Sequence, residues 1–93
     1  MRIGCVREIK NREYRVGMTP DNAKSYKNAG HEVLIEKGAG LGSGFSDAEY
    51  ERAGARLCDR AEEVWDGCDM MIKVKEPLRE EYQFFRRDLI IYT

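Results

Sequence analysis

Gly4-Cys5-Val6-Arg7-Glu8-Ile9-Lys10-Asn11-Arg12-Glu13-Tyr14-Arg15-Val16-Gly17-Met18-Thr19-Pro20 decides how the chain is read. It continues an apolar run that starts at Met1 and is broken only by Arg2 and Gly4. A dense charged segment follows, and Thr19-Pro20 then signals a helix start: threonine can cap, and proline at the first helical position loses no bonded N–H. A strand that delivers a charged loop and passes the chain to a helix is the front half of a βαβ unit. In open parallel sheets ligands sit beyond the carboxyl ends of the strands, so the charges from Arg7 to Arg15 fall where chemistry is expected. Exposed charge is also the norm for any loop, so position alone does not separate a site from a solvated surface.

Working outward, the rest of the chain alternates in the same way. Asp21 suits the first turn of the helix after Pro20, and Gly30 is placed to end it in the left-handed conformation. His31 to Lys37 reads as a second strand, with Val33-Leu34-Ile35 continuous enough for burial on both faces. Ser46-Asp47-Ala48-Glu49 is a capping box opening a short helix to about Ala53. Ala55 to Cys58 is a third strand. Asp59-Arg60-Ala61-Glu62 resembles a second capping box, with Ala61, Val64 and Trp65 on the apolar face of the helix that follows. Asp69 to Lys75 reads as the fourth strand, with Lys73 and Lys75 on one face. Leu78 to Phe85 reads as a helix with Tyr82 and Phe85 inward, and Asp88 to Thr93 as a fifth strand. The order β-α-β-α-β-α-β-α-β predicts the α/β class: an open parallel sheet with right-handed crossovers, flavodoxin-like or Rossmann-like, in three layers. A chain that stops on a strand with no covering element looks cut short, with an unprotected last edge.

Composition narrows the function. At 93 residues the chain is one small domain at most. With 42% apolar and 35% charged residues it is neither disordered nor membrane-embedded. The 16 basic and 17 acidic residues leave no basic surplus for nucleic acid. Three cysteines, Cys5, Cys58 and Cys68, without CxxC spacing fit reduced thiols and a cytoplasmic location. A single histidine, His31, and no cysteine pair at ligand spacing argue against zinc. The glycine-rich stretch Gly38-Ala39-Gly40-Leu41-Gly42-Ser43-Gly44 is not a dinucleotide fingerprint. Gly38 and Gly40 would require glycine at Ser43, and Gly40 and Gly42 would require it at Phe45. It reads as a loop that lets backbone pass close to a neighbour.

Two cations stand at the strand ends where a ligand is expected: Arg15 after strand one and Lys75 at the end of strand four. A guanidinium fork grips a carboxylate through two directional bonds, and a lysine adds a compact charge for a carbonyl or carboxylate oxygen. Together they suit a small anionic substrate such as an amino acid or oxo acid.

The Glu-Ile-Lys-Asn-x-Glu-x-Arg-Val core of the opening stretch resembles the start of the alanine dehydrogenases. So do Ala29 to Asp47 and Lys73-Val74-Lys75-Glu76-Pro77. The resemblance runs in register over essentially the whole chain. It departs at Cys5-Val6-Arg7, where the family usually has an aliphatic residue, proline and often lysine. What it implies is an NAD-dependent oxidoreductase interconverting L-alanine with pyruvate and ammonia, built as a homo-oligomer. Arg15 would match the arginine on the substrate carboxylate, and Lys75 the lysine near the substrate carbonyl. Family members are several times longer, and their catalytic histidine, catalytic aspartate and dinucleotide fold come later. Residues 1–93 would then be the N-terminal part of the substrate domain, with no catalytic residue, no NAD-binding domain and no activity of their own. His31 does not match the catalytic histidine. The nicotinamide nucleotide transhydrogenases share the fold and part of the opening, so the alpha subunit of a transhydrogenase is an alternative. A free-standing small α/β binding module is another.

Overall fold

The computed structural model describes residues 1–93. Five strands form one sheet: β1 (Arg2–Cys5), β2 (Glu32–Glu36), β3 (Arg56–Cys58), β4 (Met70–Ile72) and β5 (Ile90–Tyr92). All are parallel, in the order β3-β2-β1-β4-β5. β1 is central, with Ile3 beside Val33 on one side and Met70 on the other. The chain steps outward from β1 to β3 and then returns past β1 to start β4. The crevice between the exits of β1 and β4 is therefore where the order reverses.

Three α-helices connect the strands: α1 (Pro20–Asn28), α2 (Asp47–Arg52) and α3 (Ala61–Gly67). The core divides by sheet face. Ile3, Cys5, Val33, Ile35 and Ile72 pack with Ala23 of α1 and Tyr50 of α2. Val6, Leu34 and Met71 pack with Val64 and Trp65 of α3 on the other side. This is the expected α/β class, an open parallel sheet between two helical layers.

Local signals explain the helix starts. Thr19 caps α1 and Pro20 follows it, while Asn22 completes the capping box by accepting from the Thr19 N–H at 3.0 Å. Ser46 and Glu49 form the expected box on α2. The box foreseen at Asp59 does not form. Arg60 is the N-cap residue and makes no capping bond, because Asp59 turns outward to pair with Lys37 at 2.6 Å. At the other end of α3, Arg86 donates to the Trp65 carbonyl at 2.6 Å and to the Cys68 carbonyl, a cation at a helix C-terminus.

Two more expectations are corrected. The fourth strand stops at Ile72 rather than Lys75. Its last ladder bond runs from the Lys73 N–H to the Tyr92 carbonyl at 2.9 Å, and the next amides turn to a side chain described below. Residues Arg79–Phe84 form a 3-10 helix, not an α-helix, and Tyr82 and Phe85 point outward, 55% and 43% exposed. A period of three puts Leu78, Glu81 and Phe84 in line. Glu81 is drawn inward by an ion pair, and Phe84 stacks on Trp65 at 5.7 Å between centroids.

Candidate functional site

The loop leaving β1 carries most of the charge, and it is fastened on three sides. The Arg7 N–H donates to Glu36 Oε1 at the end of β2, at 2.8 Å. The Tyr14 carbonyl accepts from Ser43 Oγ at 2.9 Å. A Cβ on Gly42 would meet that same carbonyl at 2.8 Å, so the glycine-rich loop works as expected, letting two backbones touch. Toward β4, a Cβ on Gly17 would lie 2.7 Å from the Ile72 carbonyl, and Lys10 pairs with Glu76 at the rim. Inside the loop, Arg12 takes a left-handed φ of 65°, closing a turn in which the Glu13 N–H reaches the Lys10 carbonyl.

Arg15 is presented rather than buried. Its side chain is 68% exposed and lines an open hollow of 850 Å³ shared with Arg7, Glu36, Trp65 and Phe84. Glu13 holds it. Oε2 accepts from Nε at 3.0 Å and Oε1 from Nη2 at 3.1 Å, while the Arg15 N–H also reaches Oε2. The Arg15 guanidinium keeps the Glu13 carboxyl far below the usual carboxylate range, at about 2, and the nearby Lys75 charge adds to the effect. Glu13 occupies only the Nε–Nη2 edge of the fork. The edge formed by Nη1 and Nη2 stays free to take a second carboxylate through two bonds.

Lys75 stands at the exit of β4, half-buried and outside the lining of the large hollow. The two sequence-predicted residues thus follow the exits of β1 and β4, and both charges act on Glu13, but they do not share one cavity wall. His31 lies at the other end of β2, away from the rim. Its buried Nδ1 has no hydrogen-bond partner. No group of three or more His, Cys, Asp or Glu residues gathers as metal ligands. Cys5, Cys58 and Cys68 are unpaired and buried, and burial pushes the Cys5 thiol up to about 12.

Sequence reasoning missed the network under the rim. Lys73, its side chain 1% exposed, lies 3.2 Å from Glu8 and 3.2 Å from Glu81, both equally buried. Glu8 also accepts from the N–H groups of Val74 and Lys75, at 3.1 and 3.3 Å. Glu81 accepts from the Leu78 N–H at 3.0 Å. Removing one member of such a buried set costs on the order of 3–5 kcal/mol, because the rest lose their counter-charge. Nothing local in the sequence marked the trio, since Glu8 and Lys73 meet only through the fold.

The family described as "Alanine dehydrogenase/PNT, N-terminal domain" matches residues 4–93. This chain belongs to that family. It is 55% identical over all 93 residues to an alanine dehydrogenase of Bilophila wadsworthia, covering 24% of it. It is 50% identical to an alanine dehydrogenase of Bacillus subtilis, again covering 24%. Among solved structures, an L-alanine dehydrogenase superposes with a TM-score of 0.95 at 44% identity, over 98% of this chain and 25% of that one. A transhydrogenase from Sinorhizobium meliloti gives 0.89 at 32% identity, over 98% of this chain and 26% of its own. The chain therefore spans about a quarter of the length of the relatives it matches. No helix is long and apolar enough to cross a membrane.

Proposed function

We propose that residues 1–93 are the N-terminal part of the substrate domain of an NAD-dependent alanine dehydrogenase, acting on alanine and pyruvate in the cytoplasm as a homo-oligomer. The observation that carries this reading is the free Nη1–Nη2 edge of Arg15, held open by Glu13 at the rim where the strand order reverses. Arg15 takes the substrate carboxylate in a bidentate grip. Lys75, from the neighbouring strand exit, contacts the carbonyl oxygen and draws charge toward it. Two fixed points on so small a molecule define its orientation, and fixed orientation is this segment's contribution to rate.

The chain itself does not fit a nicotinamide dinucleotide. The first strand-to-helix connection is a long charged loop, not a glycine turn, and the N-terminus of α1 is closed by Thr19, Asn22 and Pro20. We assign NAD to a part of the full-length protein outside these residues. The transhydrogenase likeness supports a second reading, as part of a transhydrogenase alpha subunit; the higher identity to the dehydrogenases favours the first. In the full-length protein, Arg15→Ala should lower kcat/KM for pyruvate by a factor on the order of ten to several thousand, mostly through KM, from loss of a charge-assisted pair of hydrogen bonds. Unchanged pyruvate kinetics remove Arg15 from the site. Absence of ammonia-dependent NADH oxidation with pyruvate in the unmodified full-length protein removes the dehydrogenase reading.

A further inference from the structure

We propose that Glu8 is a positioning residue for the site, fixing Lys75 relative to Arg15. The inference rests on the reading of Lys75 and Arg15 as substrate ligands. After the Lys73 N–H, which still donates to the Tyr92 carbonyl, the backbone leaves the sheet, and the next two amides have no strand to donate to. A backbone N–H withdrawn from water needs an acceptor. One carboxylate supplies it for two successive residues: Glu8 Oε2 accepts from the Val74 N–H, and Oε1 from the Lys75 N–H. The same Oε1 takes the Lys73 ammonium at 3.2 Å. Glu8 itself is 7% exposed and lies on the loop that carries Arg15. A single side chain therefore grips three consecutive residues of one strand exit from the loop of the other. Lys73 is held a second time by Glu81, so the grip is braced from the 3-10 helix below. Lys75 contributes its charge to the rim, and Glu8 decides where the main chain beneath that charge sits.

The test is a double-mutant cycle in the full-length enzyme, comparing unmodified protein, Glu8→Gln, Lys75→Ala and the double variant for pyruvate KM, NADH KM and kcat. Glu8→Gln should raise pyruvate KM about tenfold and leave NADH KM unchanged, as expected for losing hydrogen bonds that orient a substrate contact. On the Lys75→Ala background the same change should alter pyruvate KM by less than about twofold, because the residue being positioned is gone. If the two effects multiply fully, or if Glu8→Gln lowers only the active fraction with KM unchanged, the proposal is overturned. If Lys75→Ala alone leaves pyruvate KM unchanged, the substrate reading of Lys75 falls instead, which is a separate result. Should Glu8→Gln not fold, Glu8→Asp replaces it in the cycle with the same criteria. It keeps the charge for Lys73 but draws the carboxylate back from the Val74 and Lys75 amides.

Discussion

Arg15 and Glu36 show how single residues at the rim are set by their neighbours. Glu13 fills one edge of the Arg15 fork and leaves the other free. Glu36 is different. It is half-buried at the end of β2, and burial raises its carboxyl above the ordinary value, against a smaller opposing contribution from the Arg7 N–H. A carboxyl raised on folding costs stability in its charged form. That cost is absent below the unfolded-state value and complete above the folded one, so stability falls as pH rises through this window. Glu36→Gln should therefore raise Tm at pH 7. The amide oxygen can still accept from the Arg7 N–H, and the gain should vanish as pH drops below about 4, where the native carboxyl is already neutral. Thermal melts across pH check this. A variant that is less stable than the parent at neutral pH would show that charged Glu36 is held favourably.

Among the elements, α2 shows how a short helix can be tied to a distant loop. Tyr50 is fully buried, and its hydroxyl donates to the Met18 carbonyl at 2.6 Å, just before α1 begins. Its ring lies against Gly40, where a Cβ would come within 2.7 Å. Tyr50→Phe keeps the ring but strands a buried carbonyl, so it should cost about 1–3 kcal/mol in a denaturant titration. A loss well below that range would mean water replaces the bond. The elements also show which parts of the fold were legible from sequence. Thr19-Pro20 and Ser46-x-x-Glu49 act over one helical turn, so their meaning is complete within a few residues. The Asp59 box failed because Lys37, from another strand, outbid the local amide. The helix expected from Leu78 to Phe85 failed for a similar reason. Its apolar pattern allowed two faces, and Lys73 and Trp65 chose the one bearing Glu81 and Phe84. Arg15 and Lys75 were singled out from topology, as residues expected beyond two strand exits. Glu8 was one acid among many until the fold brought it to Lys73.

For the whole molecule, the two sheet edges differ. β3 shows a charged Arg56 at its outer edge, a common guard against strand addition. β5 exposes Ile90 and Tyr92, 50% and 67%, on the face opposite α3. The 93-residue chain on its own should therefore self-associate in sedimentation experiments, and Ile90→Lys with Tyr92→Lys should shift it toward monomer. A monomer with the native edge would refute this. The fastening of the β1 exit loop has a further consequence. A ligand of only a few non-hydrogen atoms can return at most about 1.5 kcal/mol per atom on binding. It could not also cover the entropy of ordering a mobile loop, at about 1–2 kcal/mol per residue. With Arg7, Glu8, Tyr14 and Gly17 already moored to three neighbouring elements, that debt is settled during folding, as the proposed grip on a very small acid would require.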